Sequence, residues 1–177
     1  MSNQQGIASP ASYDVTLLMA QTRKLAADYR RQTGHALPVT EELARFDAVT
    51  KLGLRKIEGI EGIDAVDRLE NIEKAKESNS YLIKGRVIFK GGKARQKLGK
   101  LSLDGQWNCL LMVIYNADYL PSQIYKIDRD IIDNELAQIT PDKRGSMTVA
   151  KYKAIGKIVW DVEQQSKLKE QSQIENN

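Results

Sequence analysis

The chain has a single cysteine and a single histidine among its 177 residues, and no apolar stretch reaches the ~18 residues of a membrane-spanning helix. Each scarcity removes a class of function. With Cys109 alone no intramolecular disulfide forms, and its place inside the apolar run CLLMVIY reads as a buried, inert thiol in a reducing cytoplasm. His35 lies in a loop, so histidine-based triads and multi-histidine zinc sites have no support. The N-terminus MSNQQGIASPAS has no basic region followed by an apolar core, which argues against secretion. Glycine motifs of the P-loop or dinucleotide type are absent, as are internal repeats and low-complexity tracts.

What is present is ordinary for a globular domain: 41% apolar and 28% charged residues, with 27 Lys and Arg against 23 Asp and Glu. The net charge of +4 matters less than where the cations sit. Residues 1–11 read as a mobile segment, 12–160 as one α/β domain, and 161–177 as a polar tail. Val15, Leu18, Leu25 and Tyr29 recur at helical spacing with Ser12 or Asp14 as N-cap, and Gly34 marks the stop. EELARFDAVTKLG predicts a second helix with Leu43, Phe46, Ala48 and Leu52 as its buried stripe and Gly53 at its end. GIDAV and YLIKGRVIF read as short strands joined by a charged connection. CLLMVIY, apolar without alternation, predicts a strand covered on both faces. QIYKID predicts the adjacent strand and RDIIDNELA a short helix; TVAKYKAIGKIVW has near-helical spacing interrupted by Gly156.

The strand YLIKGRVIF raises the functional question. Tyr81, Ile83, Val87 and Phe89 share one face, while Leu82, Lys84, Arg86 and Ile88 share the other, so two cations stand between apolar residues. An edge strand whose basic stems lie along the surface is one explanation. The other draws on Asp64, which shares Lys84's face after a hairpin, and on Glu42 in the first turn of the second helix, where a carboxylate also suits the helix N-terminus. An acid on a helix, an acid on a strand and a lysine on the next strand suggest a metal and phosphate site. There Mg²⁺ activates water, and the lysine stabilises the developing charge.

At TEELARFDAVTKLGL, GIDA and YLIKGR the chain resembles the PD-(D/E)XK nuclease superfamily. Within it the chain is most similar to an uncharacterised bacterial family with G-x-D-A and I-K-G-R strands. The similarity runs from about Tyr13 to Trp160. It implies a restriction endonuclease-like core, a central mixed sheet flanked by helices. It also implies phosphodiester hydrolysis with Asp64, Lys84 and Glu42 as catalytic residues and Asp64 and Glu42 as Mg²⁺ ligands. The position two before the lysine is an acid in most of the superfamily and a glutamine in the closer family; here it is Leu82, which offers the metal no ligand.

A basic tract follows. Lys84, Arg86, Lys90, Lys93, Arg95, Lys97 and Lys100 come without an intervening acid, and KGGKARQKLGK has the glycines of a loop able to follow a phosphate backbone. Arg86, Lys90, Lys93, Arg95, Lys97 and Lys100 are therefore the expected nucleic-acid contacts, with DNA ahead of RNA. Trp107 and Trp160 read as packing residues rather than stacking platforms. The sequence thus predicts a cytoplasmic, Mg²⁺-dependent nuclease or nuclease-derived nucleic-acid-processing protein. Its rivals are a non-catalytic nucleic-acid-binding module and a protein-interaction module, with a protein partner or a homodimer.

Overall fold

A computed structural model describes residues 13–68, 78–89, 96–138 and 147–174. Helix α1 (Val15–Thr33) starts at Asp14, whose carboxylate accepts a hydrogen bond from the Thr16 N–H at 2.8 Å. It ends at Gly34, and α2 (Thr40–Leu52) ends at Gly53, both in the left-handed conformation that glycine adopts without steric cost. The apolar stripe of α1 does not face the core. Val15, Leu18, Leu25 and Tyr29 are exposed, whereas Ala26 and Ala27 are buried and Met19 packs against the core. Small alanines let the helix approach closely, and Arg23 reaches inward to Asp47 of α2. In α2 the buried residues are Leu43, Ala44, Asp47 and Ala48, so the face is rotated from the predicted Leu43, Phe46, Ala48, Leu52 stripe.

Six strands form one mixed sheet in sequence order: β1 (Arg55–Lys56), β2 (Ala65–Val66), β3 (Ser80–Val87), β4 (Cys109–Tyr115), β5 (Pro121–Asp128) and β6 (Lys157–Asp161). β3 and β4 run parallel; the other neighbours are antiparallel. Every residue of β4 is buried, as an apolar run without alternation requires. Its odd-numbered residues join Tyr81, Ile83 and Val87 in a core beneath α1 and α2. Leu110, Met112 and Ile114 join Leu82 and Trp107 in a second core, under α3 (Arg129–Ala137) and α4 (Val149–Ile155). Each such Leu or Ile contributes about 1.5–3 kcal/mol relative to exposure. The Cys109 thiol is buried, and burial pushes its pKa up to about 11, so it is an inert group at neutral pH.

The segment of near-helical spacing interrupted by Gly156 divides there into α4 and β6. A Cβ at Gly156 would lie 2.8 Å from Ile127 Cγ1, and the β-branched Ile158 and Val159 that follow favour a strand. Helix α5 (Val162–Ile174) occupies most of the polar stretch after the sheet. No helix of the described residues is long and apolar enough to cross a membrane.

Asp67, just beyond β2, closes the start of β3. One carboxylate oxygen accepts from the Tyr81 hydroxyl at 2.7 Å; the other accepts from the Asn79 backbone and side-chain N–H groups at 2.9 and 2.8 Å. Burial pushes the carboxyl up, but these hydrogen bonds outweigh it and hold the pKa below its ordinary 3.8. A carboxyl depressed on folding contributes stability above its unfolded pKa and loses it as pH falls through the folded one. Urea midpoints should therefore fall between about pH 5 and pH 2, and less steeply in Asp67→Asn. Parallel slopes in the two proteins would remove Asp67 from the acid transition.

Candidate ion-pair site and adjoining cleft

The backbone N–H of Asp64, one residue before β2, donates to the Tyr81 carbonyl at 2.8 Å and so places Asp64 beside β3. Its carboxylate then caps the strand: one oxygen accepts the Ile83 backbone N–H at 2.7 Å. The other oxygen accepts Arg45 Nε, also at 2.7 Å. Arg45 projects from α2 one turn after Glu41 and Glu42, and its terminal nitrogens hold Glu42 directly and Glu41 at 3.6 Å. Lys84 Nζ meets Glu41 at 3.0 Å. Asp64, Glu42 and Lys84 therefore belong to one cluster, but Arg45 and Glu41 connect them. Arg45 loses some of its preference for charge through burial, yet the Asp64 hydrogen bond and the surrounding carboxylates raise its pKa above the usual value.

Gly85 sets this geometry. A Cβ there would lie 2.8 Å from the Thr40 carbonyl oxygen and 2.9 Å from Ala44 Cβ, so only glycine lets the N-terminal turn of α2 rest on β3. That contact brings Glu41 to Lys84 and Arg45 to Asp64. Neither Arg45 nor Glu41 was a candidate on sequence grounds. The Glu41, Glu42 and Arg45 spacing of three and four residues on one helix was the available signal.

The residues do not fit the metal that the resemblance implies. Both Asp64 oxygens hold donors, the Glu42 carboxylate lies on a guanidinium, and Leu82 is turned into the second core. Among the described residues no group of three His, Cys, Asp or Glu side chains is arranged to hold a metal ion. Arg45 bridges the two carboxylates that the resemblance gives to the metal.

Of the expected nucleic-acid contacts, Arg86 donates weakly to Gln96 at 3.4 Å, while Lys97 and Lys100 are exposed. Lys90, Lys93 and Arg95 lie outside the described residues. Trp107 is a packing residue, its Nε1 donating to the Ser102 carbonyl at 2.7 Å. Trp160 packs against the first core, under Lys51. A cleft of about 450 Å³ opens between the two N-terminal helices and β3, with Arg30, Thr40, Gly85, Arg86 and Phe89 among its lining. Glu41 also borders it, already paired with Lys84.

Neither the models of known protein families nor the curated proteins contain a match to this chain.

Proposed function

We propose that the chain is a nucleic-acid-binding module on a PD-(D/E)XK-like core, in which the acid and lysine cluster braces the fold instead of hydrolysing phosphodiesters. The carrying observation is Arg45, which bridges Asp64 and Glu42, while Lys84 holds Glu41, so three carboxylates share two cations. A phosphodiester approaching this cluster would meet carboxylates committed to internal partners and a residual negative charge. The binding surface is the basic run of the sequence from Arg86 through Lys100, whose first member, Arg86, lines the cleft together with Arg30.

Metal-dependent hydrolysis is the second reading, favoured by the gathering of Asp64, Glu42 and Lys84 in one ion-pair cluster. Fluorescence anisotropy with labelled duplex and single-stranded DNA and RNA, in Mg²⁺ and over a range of salt, separates the two. Binding is expected without cleavage, with a log–log salt slope of roughly −0.9 per phosphate contact on duplex DNA and about −0.7 on single strands. Replacing Lys93, Arg95 and Lys97 together by Ala should weaken binding across sequences and flatten the slope. Cleavage by the parent that Lys84→Ala abolishes would establish the second reading; absence of salt-dependent binding would sink both.

A further inference from the structure

Three features meet at the cleft. Arg30 and Arg86 have no carboxylate partner among the described residues: Arg30 donates to the Gly34 carbonyl at 2.7 Å and stacks 3.9 Å from the Phe89 ring centroid, and Arg86 holds only Gln96. Tyr119 belongs to the cleft wall and is fully buried, yet its hydroxyl has no hydrogen-bond partner. A buried donor left unmade costs stability, so it calls for an explanation. Tyr119 also adopts φ +58°, in the left-handed region that a bulky side chain rarely enters. The surrounding turn holds it there: Asn116 Oδ1 accepts from the Asp118 and Leu120 N–H groups, each at 3.0 Å, and Arg23 donates to the Tyr119 carbonyl at 2.8 Å. Burial raises the phenol pKa and the Arg30 charge lowers it in part, so the hydroxyl senses that guanidinium.

Two guanidinium groups without carboxylate partners, on the wall of one cleft, make a site for a compact anion with several acceptor oxygens. The one bordering carboxylate, Glu41, is paired with Lys84 and contributes little opposing field. We infer that this cleft binds a phosphate group, with Arg30 and Arg86 supplying charge and forked donors. The source of the phosphate, a strand terminus or an internal diester of a polynucleotide, rests on the nucleic-acid reading; the anion chemistry does not.

The test uses the full chain. Inorganic phosphate, with acetate as the carboxylate control, is titrated while backbone and arginine side-chain NMR resonances are followed. In parallel, anisotropy compares single-stranded oligonucleotides bearing a 5′-phosphate, a 3′-phosphate or neither. Phosphate should shift the Arg30 and Arg86 signals, and acetate, with fewer acceptor oxygens and less charge, should shift them less. Arg30→Gln and Arg86→Gln should each weaken phosphate and oligonucleotide binding roughly 10-fold or more, the scale of one charge-assisted hydrogen bond. Preference for a phosphorylated end identifies a terminal phosphate, and equal affinity for all three oligonucleotides identifies an internal diester. Tyr119→Phe should raise the melting temperature, because it deletes an unpaired buried donor, and should leave phosphate binding unchanged. Oligonucleotide binding that survives both arginine substitutions, with no phosphate-induced shifts, overturns the site and leaves the nucleic-acid reading standing. Phosphate shifts without oligonucleotide binding uphold the site and remove that reading.

Discussion

Asp47→Ala is expected to lower the unfolding free energy by about 3–5 kcal/mol, the scale of stranding a buried charge. Asp47 is 3% exposed, on the inner face of α2. One of its oxygens meets Arg23 Nη2 at 2.6 Å and the other accepts the Tyr115 hydroxyl at 2.7 Å. Burial, with Asp47 beside it, pushes the Tyr115 phenol well above its ordinary range, so this hydroxyl stays a donor at any working pH. Removing the carboxylate leaves Arg23 charged in a largely buried position and Tyr115 without an acceptor. The double variant Arg23→Met/Asp47→Leu should recover part of the loss, since an apolar pair avoids the desolvation of both ions while the Tyr115 hydroxyl and the Tyr119 carbonyl still lack their partners. Urea unfolding of the parent, the single variant and the double variant measures this. A cost under about 1 kcal/mol for Asp47→Ala would place the triad with exposed ion pairs, which contribute little.

Asp64→Ala should cost about 2–3 kcal/mol, because it deletes hydrogen bonds from a guanidinium and from a backbone N–H to one carboxylate that is 14% exposed. Glu42→Ala should cost no more than about 1 kcal/mol: its side chain is 66% exposed and water screens its pair with Arg45. This asymmetry separates a brace from a catalytic site, whose acids are held for chemistry and need not support the fold. The check is chemical denaturation of both variants alongside circular dichroism of the native state. If Asp64→Ala is as stable as the parent, Arg45 and the Ile83 amide have other acceptors, and the bracing role is lost.

Much of the frame was legible because its signals are local. CLLMVIY coincides with β4, and RDIIDNELA with α3, since an unbroken apolar run and a charged, apolar-spaced segment each declare their period within a few residues. β1 and β2 have two residues each, too few to show a period. The site was legible only in part. Asp64, Glu42 and Lys84 were identifiable as chemistry-bearing residues, but Arg45's role depends on how α2 is turned against β3, which Gly85 decides from more than thirty residues away. Asp47 was equally hidden, with one partner on α1 and the other on β4. The outward apolar stripe of α1 shows the converse: a clean helical period fixes which residues share a face, but not which face the core covers.

The parallel joint between β3 and β4 bears on how the chain folds. Each antiparallel neighbour in the sheet is also the next strand in sequence, so the joint divides the sheet into two three-stranded halves, β1–β3 and β4–β6, although β5 reaches β6 only across α3 and α4. Neither half owns a core. Residues beneath α1 and α2 come from both, as do those of the opposite layer, where Leu82 joins Leu110 and Met112. The crossover through 88–108 must close before that surface is buried, and its entropic cost arrives ahead of the contacts that offset it. The seam therefore joins the two halves of the sheet through both core layers, so neither half can bury its apolar face without the other.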